Sequence, residues 1–234
     1  MAVVIAILPL GVTAQKVTLT AKKVTYTRKK PIADYKKTFE ITYPKVKATT
    51  PTLSRKIEAA LSYEKAFDFK LADEMGEIQW LESATYDAVF NYGRILSVNL
   101  NIEGIGAYPD GSTKTVVVDT SSGKKQTASM VFTNLYALAA MVRTEQQKEK
   151  QETLARIRKE EPDADEPELL FGDRSFEITD LDDFAVDGKG VTFHYDYGFP
   201  HVAKAYEPSG NFFFSWNQVK RFIKSGGLLA PMVH

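Results

Sequence analysis

The feature that most restricts the fold lies near the C-terminal end, where short alternating stretches are separated by strong turn signals. Residues 187–190 read Asp-Gly-Lys-Gly, which is typical of a tight β-hairpin turn. After this turn, every second side chain from Val191 to Tyr197 is apolar or aromatic, as in a half-buried strand. Val202–Tyr206 and Asn211–Phe214 predict two further strands. The capping box Ser215-Trp216-Asn217-Gln218 then predicts a helix, so the stretch forms a strand–turn–strand module that ends in a helix.

The N-terminal half predicts the same mixture of elements. Thr38–Tyr43 alternates as a strand that Pro44 is expected to end. Thr50 predicts the N-cap of a helix that stops at Gly76. Residues 86–132 alternate between apolar runs and glycine-rich turns, which predicts an antiparallel meander.

Strands and helices therefore occur in both halves of the chain. Residues 132–161 predict two helices or one bent helix, the second part being almost wholly polar. The predicted fold class is α+β, with antiparallel sheets each packed by helices in two small subdomains. The expected boundaries are 15–125 for the first half and 126–234 for the second, with an acidic helix and linker at 143–168.

The start of the chain indicates where the protein acts. Residues 2–12 form an apolar run, and Val12-Thr13-Ala14 supplies the small residues that a signal peptidase accepts. Residues 1–14 are therefore predicted to be a signal peptide, and the expected location is extracytoplasmic, either periplasmic or secreted. The run is too short to cross a bilayer, so no membrane span is expected in the mature chain. A buried first strand has a similar apolar character and is the alternative interpretation.

Cysteine content and charge limit the kinds of site and partner that this chain can have. The chain has no cysteine, which excludes disulfides, thiolate chemistry and cysteine-ligated zinc. Its formal net charge is zero, yet residues 16–47 carry a net charge of +8 and residues 145–183 a net charge of −8. Both segments are interpreted as solvated faces, with attraction to oppositely charged partners as the alternative. Nucleic acid is not expected as a partner, because an exported protein does not meet it.

Several motifs resemble those of RsiV-like proteins. The F-x-I-x-Y-P strand at 39–44 and the R-I-L-S-V-N-L strand at 94–100, with its G-x-G-A-Y-P corner, resemble the N-terminal half of that family. The G-V-T-F-H-Y-D-Y segment at 190–197 and the Y-E-P-S-G-x-F-F-F-S-W segment at 206–216 resemble the C-terminal half, a domain of unknown function numbered 3298. The quoted residues are turn and core residues and not catalytic ones.

The resemblance implies a domain that acts outside the cytoplasmic membrane. In the best-understood type, an anti-sigma factor, the domain is a sensor that binds lysozyme and then becomes open to regulated proteolysis. Other members accompany cell-wall enzymes. This chain has no stretch that matches the membrane span, the sigma-binding region or the polysaccharide deacetylase domain of those proteins. Only an extracytoplasmic binding role is therefore expected to carry over, with a lysozyme-like protein or a cell-wall glycan as partner and the oligomeric state left open.

The candidate chemistry centres on His194 and Asp196, which alternate onto one face of the predicted strand. With His201 they suit a metal site or an acid/base pair, but zinc takes three or four ligands and the chain has only three histidines. A hydrogen-bonded His–Asp pair is the preferred interpretation, and neither a metal nor another cofactor is expected. The sequence has no nucleophile elbow, zincin motif or P-loop, so no catalytic residue is assigned.

Aromatic residues crowd the same stretch. Of Phe212 and Phe213, at least one is expected to point away from the core face of its strand. Exposed aromatic side chains on a rigid scaffold favour saccharide or protein recognition, and core packing is the competing interpretation. The predicted binding residues are His194, Asp196, Tyr197, His201, Tyr206, Phe212 and Trp216. The alternatives to a binding protein are an enzyme acting on cell-wall polymer and a structural accessory protein of the envelope.

Overall fold

A computed structural model describes residues 16–33, 35–76, 78–163 and 165–233. The predicted signal peptide, residues 1–14, lies outside these ranges. Within them, no helix combines the length and the apolar character needed to cross a membrane. The fold is a mixture of helices and two sheets, which confirms the predicted α+β class.

The N-terminal lobe is a six-stranded sheet with three short helices. Its strands lie in chain order and its helices connect the second strand to the third. The strands are β1 (Thr18–Thr27), β2 (Thr38–Lys47), β3 (Leu81–Tyr92), β4 (Ile95–Ile105), β5 (Pro109–Asp119) and β6 (Lys124–Lys125), and the helices are α1 (Pro51–Ala60), α2 (Tyr63–Ala66) and α3 (Leu71–Met75). All neighbouring strands pair antiparallel except β2 and β3, which are parallel.

Two expectations for this lobe were wrong in detail. Pro44 does not end β2, because β3 pairs only with Glu40 and Ile41. The second half of β2 therefore pairs with β1 alone, and a missing amide N–H is tolerated on such an edge. The helix capped by Thr50 stops at Ala60 instead of running to Gly76, and two shorter helices complete the segment.

The C-terminal lobe packs a long helix and several short helical turns around a three-stranded antiparallel sheet. Its α-helices are α4 (Ala128–Val131), α5 (Leu135–Glu160) and α6 (Trp216–Val219), and its strands are β7 (Phe184–Val186), β8 (Gly190–His194) and β9 (Asn211–Ser215). The described part of the lobe also contains 3-10 helices at Pro167–Phe171, Ile178–Asp182, His201–Tyr206, Lys220–Phe222 and Ala230–Met232. The sheet order is β7-β8-β9, so the central strand is the one that carries Phe193 and His194.

The local signals of the C-terminal module are confirmed. Asp187 N–H donates to the Gly190 carbonyl at 3.1 Å and closes the predicted hairpin. Ser215 and Gln218 form the reciprocal capping box at the start of α6. Two predictions were wrong: the regular part of β8 ends at His194, and residues 201–206 form a 3-10 helix and not a strand.

The two lobes have separate cores that meet across β4 and β5. Leu96 and Val98 on one face of β4 belong to an aliphatic core beneath the N-terminal helices. Ile95 of β4 and Val117 of β5 belong instead to the C-terminal core, which is dominated by aromatic rings. At the junction, the Val186 amide donates to the Ser97 hydroxyl at 3.2 Å. The six-stranded sheet is therefore a layer common to both cores, and the division of the chain at residue 125 stays a prediction.

Candidate functional site

A groove of about 660 Å³ lies on the C-terminal lobe. One wall is the segment after β8, from Tyr197 to Tyr206, and the other runs from the end of α5 into the 3-10 helix Pro167–Phe171. Pockets with a few polar groups on an apolar lining are the usual places where proteins bind ligands. Three of the predicted binding residues, Tyr197, His201 and Tyr206, lie in this wall, and two of them, Tyr197 and Tyr206, line the groove.

Glu149 of α5 holds the first wall in place. Its carboxylate accepts hydrogen bonds from the Tyr197 hydroxyl at 3.0 Å, the Ser209 hydroxyl at 2.8 Å and the Gly210 amide at 3.3 Å. One side chain thus fixes both ends of the segment that leaves the sheet after β8 and returns at β9. Gly210 is needed at the return, because it has φ +61° and an added Cβ would lie 1.9 Å from the Tyr195 carbonyl oxygen.

The floor of the groove is aromatic and continuous with the core. The Phe171 ring packs edge-on against Tyr197 at 5.6 Å and against Phe199 at 5.0 Å between centroids. Tyr197 is only 3% exposed. Burial, together with the neighbouring Glu149 carboxylate, raises the pKa of the Tyr197 hydroxyl, so it stays a hydrogen-bond donor at neutral pH. The floor therefore consists of aromatic rings and the neutral Tyr197 hydroxyl.

The rim carries exposed aliphatic side chains. Val202 is 91% exposed and Leu169 is 72% exposed, and they stand on the two opposing walls. Monomeric proteins tolerate single exposed aliphatic residues, but two such residues lining one concave surface are typical of an interaction site. The rim is thus better suited to contact with another molecule than to contact with water alone.

Charged groups at the rim are mainly acidic. Glu161, Asp165 and Glu166 line the groove, and Arg174 is the one basic residue among the lining side chains that the structure describes. The Tyr206 hydroxyl donates to Glu161 at 3.1 Å, and burial with this hydrogen bond raises the Tyr206 pKa. Arg174 donates to the Tyr197 carbonyl at 3.1 Å, so its guanidinium is already used to support the wall.

His194 and Asp196 do not form the predicted hydrogen-bonded pair. His194 Nδ1 lies 2.7 Å from Asn211 Oδ1, and its Nε2 lies 3.2 Å from the Thr115 hydroxyl. Asp196 instead accepts a hydrogen bond from the Gly198 amide at 2.9 Å. The reason is the end of the regular strand at His194, after which strict alternation no longer governs side-chain direction. Across the described ranges, no three His, Asp or Glu side chains come together as a metal site.

His201 lies outside the groove and joins the two lobes. Its ring stacks on Tyr108 with centroids 4.0 Å apart and planes inclined by 25°. Tyr108 comes from the turn between β4 and β5 and is 57% exposed. The pair forms an aromatic platform at the lobe junction, and the sequence alone gave no reason to bring Tyr108 to this position.

Phe212 and Trp216 lie in the core. They are 5% and 9% exposed, and both contact the aromatic cluster. Phe213, between them in sequence, is 49% exposed, as expected for one member of a run of three phenylalanines on a strand. Phe212 and Trp216 therefore stabilise the lobe, and whether the other predicted residues bind a ligand stays a prediction.

The groove wall formed by Pro167–Phe171 was not predicted from the sequence. Leu169 and Phe171 lie directly after the segment 143–168, which was predicted as an acidic helix and linker, and no element was predicted for them. The available signal was the run Leu169-Leu170-Phe171, which begins two residues after Pro167, since Pro at the first position of a helical turn with apolar residues in the same turn predicts a packed element. Glu149 gave no signal, because its role depends on residues 48 to 61 positions away.

Solved structures with the same fold come from the DUF3298 family. A member from Bacteroides fragilis NCTC 9343 superposes with a TM-score of 0.56 at 17% identity, covering 92% of this chain and 96% of that one. A DUF3298 family protein from Pseudomonas aeruginosa PAO1 superposes with a TM-score of 0.52 at 12% identity, covering 89% and 94%. At these identities the likeness establishes the shared fold over nearly the whole chain. No protein-family model and no curated protein matches the sequence.

Proposed function

We propose that this chain is an RsiV-like member of the DUF3298 family that acts outside the cytoplasm as a non-enzymatic binding protein. Its ligand site is the groove between Tyr197–Tyr206 and Pro167–Phe171. The observation that carries the proposal is the exposure of Val202 and Leu169, at 91% and 72%, on opposing walls above an aromatic floor. Support for the family comes from the sequence motifs and from the shared fold of its solved members.

The rim chemistry favours a protein partner. Aliphatic side chains gain by contact with another apolar surface, about 25 cal/mol for each Å² removed from water. The carboxylates of Glu161, Asp165 and Glu166 favour lysine or arginine beside that surface. The expected partner therefore presents an apolar projection flanked by basic residues, and a lysozyme-like protein is the partner that the family resemblance implies.

The hydrogen bonds of the groove favour binding over catalysis. Glu149 already accepts three hydrogen bonds and Glu161 accepts one from Tyr206, so both carboxylates act as supports for the wall. A general acid or base needs a free position within hydrogen-bond reach of a substrate proton. These carboxylates hold the groove in shape, which lowers the entropy lost when a partner binds.

A titration with purified lysozyme tests the proposal. The full chain is expected to bind, and Val202→Asp and Leu169→Asp are each expected to weaken binding at least about tenfold, because each places a charge in the apolar contact. Ile78→Asp is the matched control, since Ile78 is 57% exposed on the N-terminal lobe and should leave affinity unchanged. Absence of binding by the unmodified chain, or equal loss in the control, would count against the groove.

A cell-wall glycan is the second candidate, and the Tyr108–His201 platform favours it. Sugar rings pack on exposed aromatic faces, and this pair offers one at the lobe junction. Co-sedimentation with peptidoglycan, compared between the unmodified chain and Tyr108→Ala, distinguishes this ligand from a protein in the groove. Loss on Tyr108→Ala with full retention in Val202→Asp would assign a glycan to the platform.

A further inference from the structure

A second concave surface, on the N-terminal lobe, has the opposite charge character. We propose that it binds an anion carrying two or more phosphate groups. The site is independent of the groove in the C-terminal lobe and of the function proposed for that groove. It is called the lysine pocket below and is defined by Lys56, Lys65, Lys124 and Lys125.

The lysine pocket lies where α1, α2 and the turn between β5 and β6 meet. Its volume is about 430 Å³, its floor includes Ala59, Ala60 and Val116, and no aspartate or glutamate lines it. The four lysines come from three separate elements and are all exposed. Four cations around one cavity raise the local concentration of anions, and a concave low-dielectric wall strengthens this effect.

Three other lysines on the same lobe are neutralised by carboxylates. Lys23 pairs with Glu40 at 2.6 Å, Lys36 with Glu82 at 2.6 Å and Lys45 with Glu58 at 2.8 Å. In the ranges that the structure describes, none of the four pocket lysines makes an ion pair or a side-chain hydrogen bond within the chain. Within the described ranges, therefore, no carboxylate lies close enough to neutralise them.

The shape of the lysine pocket is set by the backbone. Gly123 has φ +73°, and an added Cβ would lie 2.6 Å from Cβ of Lys56, so the turn packs directly against α1. The Gly123 amide donates to the Asp119 carbonyl at 2.8 Å, and the Asp119 carboxylate is held by Arg94 at 2.7 Å. A turn fixed in this way keeps Lys124 and Lys125 beside Lys56 before any ligand arrives, which reduces the cost of binding.

Protection of a sheet edge explains only part of the arrangement. Lysines on an edge strand prevent pairing with other chains, and Lys124 and Lys125 form the edge strand β6. Lys56 and Lys65 lie on helices, where this role does not apply. Phosphate groups suit the combination, because ammonium groups bind them as point charges and several can act on one polyanion.

Calorimetric titration of the full chain with tripolyphosphate tests the proposal. Saturable binding with one site is expected, and Lys65→Gln combined with Lys124→Gln is expected to weaken it at least about tenfold, the loss of two charged hydrogen bonds. The control combines Lys159→Gln with Lys220→Gln, which removes the same charge from exposed positions in the other lobe. Thermal unfolding of both double variants should match the unmodified chain, because all four side chains are on the surface.

Flotation with vesicles identifies the source of the phosphate. Vesicles of cardiolipin, whose headgroup carries two phosphates, in phosphatidylcholine are compared with phosphatidylcholine alone to test whether the ligand is a lipid headgroup. Lysine-dependent binding to tripolyphosphate alone assigns a soluble anion, and lysine-dependent binding to the acidic vesicles assigns a lipid. Equal loss in the control pair, or no binding to either probe, would overturn the proposal.

Discussion

In the N-terminal lobe the core ends at a buried arginine, whereas in the C-terminal lobe the rings of the core continue to the surface groove. Arg28 is 1% exposed and donates to the carbonyls of Glu74 at 3.0 Å and Leu81 at 2.7 Å. Glu74 in turn accepts from the Leu81 amide at 2.7 Å, so the polar groups are satisfied inside the lobe. In the other lobe, Phe171 belongs both to the core and to the groove lining.

This difference between the two cores separates stability from binding in the N-terminal lobe and couples them in the C-terminal lobe. A closed hydrogen-bond network at Arg28 makes the N-terminal lobe a rigid frame whose stability does not involve a ligand surface. The aromatic cluster of the C-terminal lobe supplies stability and groove shape with the same side chains. Changes to that cluster are therefore expected to alter stability and binding together, while changes at Arg28 are expected to alter stability alone.

The largest effect is expected from Phe193→Ala. Phe193 is fully buried and its ring lies 5.7 to 6.4 Å from those of Phe132, Phe176, Phe184 and Phe214. Loss of the ring should lower the free energy of unfolding by about 3–5 kcal/mol, measured by urea denaturation. Phe39→Ala, in the N-terminal core, is the matched change. Lysozyme affinity should fall in Phe193→Ala and persist in Phe39→Ala. The reverse result would contradict the claim that the C-terminal core, and not the N-terminal core, shapes the groove.

Arg28→Met should come next. It leaves the Glu74 carboxylate buried without its cation and three carbonyl groups without a donor, at a cost of about 3 kcal/mol. Breaking a buried ion pair costs about 3–5 kcal/mol, and the lower value applies here because the Glu74 carboxylate still accepts the hydrogen bond from the Leu81 amide. Denaturant unfolding measures the loss, and a second variant that adds Glu74→Gln should recover part of it. Weakened lysozyme binding in the folded Arg28→Met protein would contradict the independence of the two lobes.

Glu149→Gln should give a smaller change in stability with a clear change in binding. The amide keeps one acceptor oxygen but places a donor against one of the three groups that Glu149 now accepts from. The expected cost is about 1–2 kcal/mol in thermal unfolding, with weaker lysozyme binding because the wall at Tyr197 loosens. Glu152→Gln, one turn further along α5 and exposed, is the control and should change neither quantity.

The smallest effect is expected from Asp119→Asn, and it depends on pH. Burial opposes ionisation of Asp119, but hydrogen bonds from Arg94 and Ser121 outweigh it and lower the pKa of the carboxyl. A folded pKa below the unfolded value of about 3.9 stabilises the fold above that pH and loses this contribution as the pH falls through the folded pKa. The variant should be about 1 kcal/mol less stable at pH 7, discounted because Arg94 is half exposed.

A pH series of denaturant unfolding checks that prediction. The gap between the unmodified chain and Asp119→Asn should be constant from pH 5 to pH 7 and should narrow below about pH 4. A gap that stays equally wide at pH 3 would show that the Arg94 ion pair is not the cause.

Local chemistry made several elements predictable, and long-range packing made others unpredictable. The hairpin at Asp187–Gly190, the cap at Thr50 and the capping box at Ser215 depend on residues within four positions of each other. Val202–Tyr206 alternates like a strand, yet β9 pairs directly with β8 and leaves this segment without a partner. Its alternation therefore does not reflect burial, as the 91% exposure of Val202 shows.

Helix α5 is a second element whose structure depends on long-range packing and could not be predicted from local sequence. The sequence predicted two helices or one bent helix here, and α5 is one continuous helix of 26 residues. Gln146 is fully buried and accepts from the Phe176 amide at 2.8 Å, and Arg143 donates to the Phe176 carbonyl at 3.0 Å. Polar residues of the helix thus hold the segment before β7, and the groove wall that follows α5 was not visible from composition.

Amide hydrogen exchange of the full chain, with and without excess lysozyme, tests the central claim most directly. The groove account predicts slower exchange in residues 165–174 and 198–206, which form its two walls, and unchanged exchange at the lysine pocket and around Arg28. Slower exchange confined to other segments, or no change at any segment, would contradict the assignment of the groove as the binding surface.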